Sequence, residues 1–345
     1  MRRLLRRLGW STAVAWAVVS ISFAVNRLVP GDPARMVAGV QARPADVARI
    51  RAQLGLDRPA LVQYAVFWQR LIHIGPPLVD REANPAHATC AVIRLPLGKS
   101  ALHVDLGKSF QRRQPVVDIV VARAPRTFAL ALAAILVQLV LGVGSGVVAA
   151  AHRNSWLDRW LVSASLLGVS APTFLIAILL QYVFAFRLRW LPLDGFGKTP
   201  LEHARSIVLP SLTLGLYGAA YYTRLTRDEV AMLLKQDWIR TARAKGVSSS
   251  LVVLRHGLRN ALVPIVTALG LDFGALLGGA IVTETVFRWP GIGELSVRAI
   301  LDRDGPVTLA CVILASLSVV AINLLVDALY GTLDPRIQRT PMQTR

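Results

Sequence analysis

The side chains best placed to do chemistry in this 345-residue chain are a few polar groups set inside long apolar runs. Asp272 lies near the middle of one run, Glu284 and Asp327 lie nearer run ends, and Gln138 and Gln181 sit uncharged within two others. A carboxylate among apolar residues is costly to bury. It must therefore face water or other protein groups, and it marks either a solute path or an interhelical hydrogen bond. Both readings stay open for Asp272, with Gln138 and Gln181 as its uncharged companions on a candidate translocation path. No Ser/His or Asp/Asp pair falls within the runs and Gly-x-Ser-x-Gly is absent, so no catalytic site is expected.

Other familiar signals fail on spacing. Three Gly-Lys-Ser/Thr triplets, at 98–100, 107–109 and 197–199, resemble part of a phosphate loop. That loop needs a further Gly five residues upstream to turn backbone N–H groups inward, and those positions hold Ile93, Leu102 and Pro192. Gly142, Gly144 and Gly146 follow no strand, so they read as close helix packing, as do Gly274, Gly278 and Gly279. Cys90 and Cys311 are far apart, and the six His are scattered without ligand spacing. No metal site is expected.

The elements that must carry these residues follow from composition. Apolar residues make up 54% and charged residues 17% of the chain, and mean hydropathy is +0.50. Soluble domains carry about 25% charge, so a disordered chain and an ordinary cytosolic enzyme are both disfavoured. Six runs approach the roughly 20 residues needed to cross a bilayer: 10–29, 127–151, 160–186, 207–225, 262–287 and 307–333. The expected fold is an all-α integral membrane protein with six transmembrane helices. Arg2, Arg3, Arg6 and Arg7 precede the first run, which is long enough to favour an uncleaved anchor over a signal peptide.

Positive charge sets the orientation. With both ends inside (N-in/C-in), the inner segments 1–9, 152–159, 226–261 and 334–345 gather much of the basic excess. The net charge of +19 then reflects topology and lipid headgroups rather than nucleic acid. The expected organisation is an N-terminal tail and first helix over 1–29, an extracytoplasmic segment over 30–126, a five-helix core over 127–333 and a cytoplasmic tail over 334–345. The outer segment opens on a Pro-Gly-Asp-Pro turn, continues with short amphipathic helices at 44–54 and 59–74, and becomes irregular over 75–105. It reads equally as a lid on the bundle and as a contact surface for a soluble partner.

The inner loop over 224–261 is the most informative stretch. Val230, Leu233 and Leu234 share a helical face, as do Leu251, Leu254, Leu258 and Leu262. Gly246 followed by Val247-Ser248-Ser249-Ser250 ends one helix and caps the next. The result is a helix–Gly–helix hairpin, apolar on one side and basic on the other, built to dock onto something cytoplasmic.

The residues Arg240-Thr241-Ala242-Arg243-Ala244-Lys245-Gly246, with Leu254-Arg255-His256-Gly257-Leu258-Arg259-Asn260-Ala261-Leu262-Val263-Pro264, resemble the coupling loop of binding-protein-dependent ABC importer permeases, in the dipeptide/oligopeptide/nickel branch. The likeness continues through Glu284-Thr285-Val286-Phe287, Trp289-Pro290-Gly291 and Leu333-Asp334-Pro335-Arg336. Upstream it includes Leu54-Gly55-Leu56-Asp57 and Asp105-Leu106-Gly107, as in the first of that branch's two permease types. The resemblance implies a pore-forming subunit that works with a second, similar permease, two ATP-binding subunits and an extracytoplasmic substrate-binding protein. ATP and Mg are used by those partners, and this chain binds no cofactor of its own. It also implies that residues 240–246 form the ATPase-coupling loop and that the cargo is a peptide, glutathione or nickel; no His cluster argues for nickel, so peptides are the expected cargo.

Three departures stand out. The general importer loop carries Glu-Ala-Ala where this chain has Arg240-Thr241-Ala242, which points to basic contacts with the ATPase. Residues 75–102, with Cys90, resemble an insertion. Asp272 stands where an uncharged polar residue is more usual. Intramembrane enzymes, secondary transporters and channels remain as rival classes; against the second, no pair of similar halves is visible.

Overall fold

The computed structural model describes residues 2–28, 32–39, 41–75, 89–94 and 101–333. The 334–345 tail, the first two residues of the Pro-Gly-Asp-Pro turn and the first Gly-Lys-Ser triplet lie outside them. The chain divides into two compact units, one running up to Pro125 with Gly291–Leu317, the other Arg126–Pro290 with the chain from Ser318.

In the first unit, α1 (Arg2–Leu28) is a long helix whose apolar side chains Trp10, Trp16 and Ile21 are exposed. Asp32 starts α2 (Pro33–Ala38) by accepting from the Ala34 N–H, with Pro33 preset for the first turn. Helices α3 (Pro44–Gln53) and α4 (Ala60–Leu71) stand where the amphipathic pattern places them. The expectation of an irregular 75–105 stretch in an all-helical chain is corrected here. Strands β1 (Ile72–Gly75), β2 (Cys90–Arg94) and β3 (Ala101–Asp105) form an antiparallel sheet ordered β1-β3-β2.

Helix α5 (Val116–Ala151) runs through Pro125 and contains a π-helical stretch, Gln138–Val143. Its first turns pack Val116, Ile119 and Val120 against Ile292, Leu295, Val307 and Cys311 of the same unit.

In the second unit, α6 (Trp156–Ser170) and α7 (Thr173–Arg187) occupy the expected third span but meet at 103°. A single straight helix there is corrected for a local reason. Pro172 disfavours helical geometry at the residue before it, and Ala171 is extended at φ −78°, ψ 128°. Short helix α8 (Pro200–Ser206) leads to α9 (Val208–Leu233), which is the most enclosed helix of the unit and packs against α5 beyond Val137. Helix α10 (Asp237–Ala244) precedes α11 (Ser249–Leu277), then α12 (Ile281–Val286). Helix α13 (Ile292–Leu301) belongs to the first unit, and α14 (Gly305–Leu333) ends the described chain.

Among the described residues, α5, α11 and α14 are long and apolar enough to cross a bilayer, with the bent α6–α7 pair as a fourth candidate. The glycine pattern of the second run works as packing. A Cβ on Gly142 would lie 2.9 Å from the Ala219 carbonyl oxygen, and one on Gly146 would lie 2.7 Å from that of Thr223. Gly144 faces open space.

Candidate functional site

The hairpin over 234–258 is built on buried side chains in both of its arms and one left-handed residue at its turn. Along α10, Ile239 is buried, Ala242 is half-buried, and Arg240, Thr241, Arg243, Ala244, Lys245 and Gly246 are exposed. The helix ends in a Schellman motif: the Val247 N–H donates to the Ala242 carbonyl at 3.2 Å and the Gly246 N–H to that of Arg243 at 2.9 Å. Closing these two bonds needs a positive φ, and Gly246 has +81°. The chain re-enters a helix at Ser249 after an extended Ser248; the break falls where the Ser run places it, but the Ser248 side chain makes no capping hydrogen bond, which corrects the expected Ser cap.

Beyond the turn the phase differs from expectation. Leu251 and Leu254 are 45% and 55% exposed, while Val252, Val253 and Gly257 are buried. The cause is a π-helical stretch, Val252–Leu258, whose wider turn rotates the inward face away from a 3.6-residue extrapolation. This inward face docks firmly. Val253 joins Val230, Ala261 and Ile265 in one core, with Leu233, Leu234 and Leu258 against it. A Cβ on Gly257 would stand 3.3 Å from Val230.

A second anchor, not legible in sequence spacing, ties the base of the loop. Arg227 donates from Nε to Asp158 Oδ1 at 3.0 Å and from Nη2 to Oδ2 at 2.9 Å, a bidentate fork, and also donates to Asp228 at 2.9 Å. Asp158 in turn accepts from the Asn154 N–H at 2.9 Å. The exposed Arg240–Asp237 pair at 3.5 Å contributes little beside it.

Of the polar residues within the runs, Asp272 and Gln138 are brought together. Gln138 opens the π-helical stretch of α5 and is buried under α9, where a Cβ on Gly218 would collide with its amide. That amide hydrogen-bonds the half-buried Asp272 carboxylate from α11, and Tyr222 adjoins the same carboxylate. Gln181 is elsewhere and does structural work, donating to the Leu193 carbonyl at 2.9 Å and toward that of Val286 at 3.4 Å. Buried Glu284 accepts from Thr127 Oγ1 at 2.9 Å. The Trp289 indole donates to the Arg126 carbonyl at 3.2 Å.

The described Gly-Lys-Ser/Thr triplets are turn and cap chemistry. Ser109 donates to Asp304, which also accepts the Phe110 N–H at 3.2 Å. Thr199 caps α8 through the Glu202 N–H, while the Glu202 carboxylate accepts the Lys198 N–H at 2.6 Å. These backbone donors hold the Glu202 carboxyl below the usual carboxylate range.

Long apolar helices with a docked, basic loop are the features of a multi-pass membrane protein. Two family models agree: residues 142–339 match the inner membrane component of binding-protein-dependent transport systems, and residues 1–131 match the N-terminal part of that membrane component. The chain belongs to this family of inner-membrane ABC importer permeases. A putative peptide transport system permease protein of Brucella abortus is 40% identical over 338 residues, 97% of this chain and 98% of the relative. The glutathione transport system permease protein of Salmonella paratyphi A is 40% identical over 321 residues, 93% of this chain and 94% of the relative. Among solved structures, an inward-facing form of the MetNI methionine ABC transporter aligns with TM-score 0.55 at 18% identity, over 64% of this chain and 98% of that one. That likeness is one of fold.

Proposed function

We propose that this chain is the pore-forming subunit of an ATP-driven importer of small peptides. It crosses the membrane six times with both ends inside, and it works beside a second, similar permease, two ATP-binding subunits and an extracytoplasmic binding protein. ATP and Mg are consumed in the partner subunits. The observation that carries the peptide assignment is 40% identity over 97% of the chain to a relative named for peptide transport.

The mechanism is alternating access by population shift, in which ATP binding favours one arrangement of the partners and the loop passes that preference on. Arg240, Arg243 and Lys245 present charge to the ATPase groove, with Thr241, Ala242 and Ala244 shaping the contact and Gly246 closing the turn. Ile239 and the core behind Val253 make the loop stiff enough to transmit a push. Asp272 faces the path with Gln138 holding its carboxylate from behind. Gln181, whose amide is tied to backbone carbonyls, lines the path from a fixed position.

A second reading, glutathione import, is favoured by the Salmonella relative, and nickel is the third cargo of the branch. Uptake of labelled dipeptides, glutathione and nickel in cells with and without this chain separates the three. Loss of peptide uptake is the expected result. Loss of nickel uptake alone would overturn the peptide reading.

A further inference from the structure

The sheet of the first unit does something its sequence spacing conceals. His73 and His103 are directly opposed across β1 and β3, so their side chains leave the same face. On β2, Cys90 is opposed to Asp105, two positions from His103 and hence also on that face. Three strands thus converge three ligating side chains that the sequence scatters. One ligand atom from each lies within 4.8 Å of the others, and the Cys90 Sγ is 3.9 Å from the His73 Nε2. Cys90 and His103 are 1% and 0% exposed.

The surroundings are arranged for coordination. His73 Nδ1 lies 3.1 Å from the Arg70 carbonyl, a contact that favours the proton on Nδ1, and Nε2 is the ring nitrogen that faces Cys90. The imidazoles of His73 and His103 are tilted at 41° with centroids 5.2 Å apart, so they are not stacked. Gly75 makes room for His103: a Cβ there would lie 2.8 Å from Nε2.

We propose that His73, Cys90 and His103 form a zinc(II) site that staples this sheet. Zinc–sulfur and zinc–nitrogen bonds at a tetrahedral angle hold the two ligand atoms about 3.5 Å apart. The Cys90–His73 pair therefore needs to close by only a few tenths of an ångström, and small rotations bring in the third ligand. A mixed imidazole and thiolate set suits a borderline-soft ion rather than magnesium or calcium. On binding, the Cys90 thiol gives its proton to solvent and the imidazoles bind neutral. Three strands of four or five residues make a small sheet, and metal affinity adds directly to the stability of such a unit. Sequence spacing scatters these three residues and gives no metal site; strand pairing is what brings their ligand atoms together.

The test uses the full chain, co-expressed with its partner subunits and purified in lipid nanodiscs without added metal. Elemental analysis is expected to find zinc at about one ion per chain, the capacity of a single three-ligand site. Cys90→Ala and His103→Ala should each weaken zinc binding by about tenfold or more, because even supporting partners of ligands contribute on that scale. Cobalt(II) added after chelation should give a thiolate-to-cobalt absorption band that Cys311→Ala keeps and Cys90→Ala loses. A metal-free wild-type chain that shows no cobalt band overturns the proposal. So does copper in place of zinc, or nickel uptake abolished by Cys90→Ala, which would make the residues part of a cargo route.

Discussion

Gly246 offers the sharpest test of the coupling loop. The residue sits at φ +81°, and a Cβ placed there meets nothing within 4 Å. Any effect of Gly246→Ala is therefore a backbone effect, with no steric clash to confuse it. Holding a residue with a Cβ in the left-handed region costs about 1–2 kcal/mol, which shifts the balance between capped and open turns by roughly 5–30-fold. Asn tolerates this region better because its short polar side chain bonds locally. Gly246→Asn should therefore lie close to wild type, Gly246→Ala should be impaired, and Gly246→Leu should be impaired at least as much. The assay is reconstitution with the ATP-binding subunits and binding protein in liposomes, measuring peptide taken up per ATP hydrolysed. The variants should insert normally and hydrolyse ATP, while the uptake ratio falls several-fold for Ala and Leu. Normal transport by Gly246→Leu would refute the reasoning. Equal loss in the Ala and Asn variants would also refute it, by removing backbone strain as the cause.

The other predictions concern the frame around that loop. Asp158→Ala and Arg227→Ala should each lower the melting temperature of the purified complex. A double-mutant cycle should return a coupling energy of about 1–3 kcal/mol, and additive losses would mean the fork is ornamental. Gly142→Leu should reduce the amount of folded chain in the membrane because its side chain meets the Ala219 backbone, whereas Gly144→Leu, in open space, should be tolerated. Equal yields from both would contradict the close packing of α5 on α9. Asp272→Asn should fold normally and reduce uptake of cationic peptides relative to neutral ones; an unchanged uptake profile across peptide charge would remove Asp272 from the path.

The legible parts of this chain were those governed by local chemistry. Gly246 before a Ser run announces a turn because a cap and a left-handed residue are both local requirements, and the hairpin is where that pattern puts it. The helices at Pro44–Gln53 and Ala60–Leu71 were visible for the same reason. The break at Pro172 is masked by the apolar residues that continue on both sides of it, although Ser170, Pro172 and Thr173 mark the spot. The buried face of α11 departs from the 3.6-residue pattern because a π-helical turn changes the period in a way no single residue marks. The grouping of His73, Cys90 and His103 is not visible in the sequence because its members come from three short strands whose pairing, not spacing, brings them together. Asp272 and Gln138 were each noticed, but only packing of α11 beside α5 joins them.

The glycine contacts between α5 and α9 carry a consequence for where cargo can travel. At Gly142 and Gly146 the α5 backbone lies directly against the Ala219 and Thr223 backbone and the first side-chain carbons of Tyr222 and Thr226, and Gln138 lies beneath Gly218. That boundary is a closed seam, with no width for water or a peptide. The two helices must ride together as a single plank through each transport cycle. Whatever solute crosses this subunit has to pass around the plank, along the sides that α5 and α9 turn away from each other.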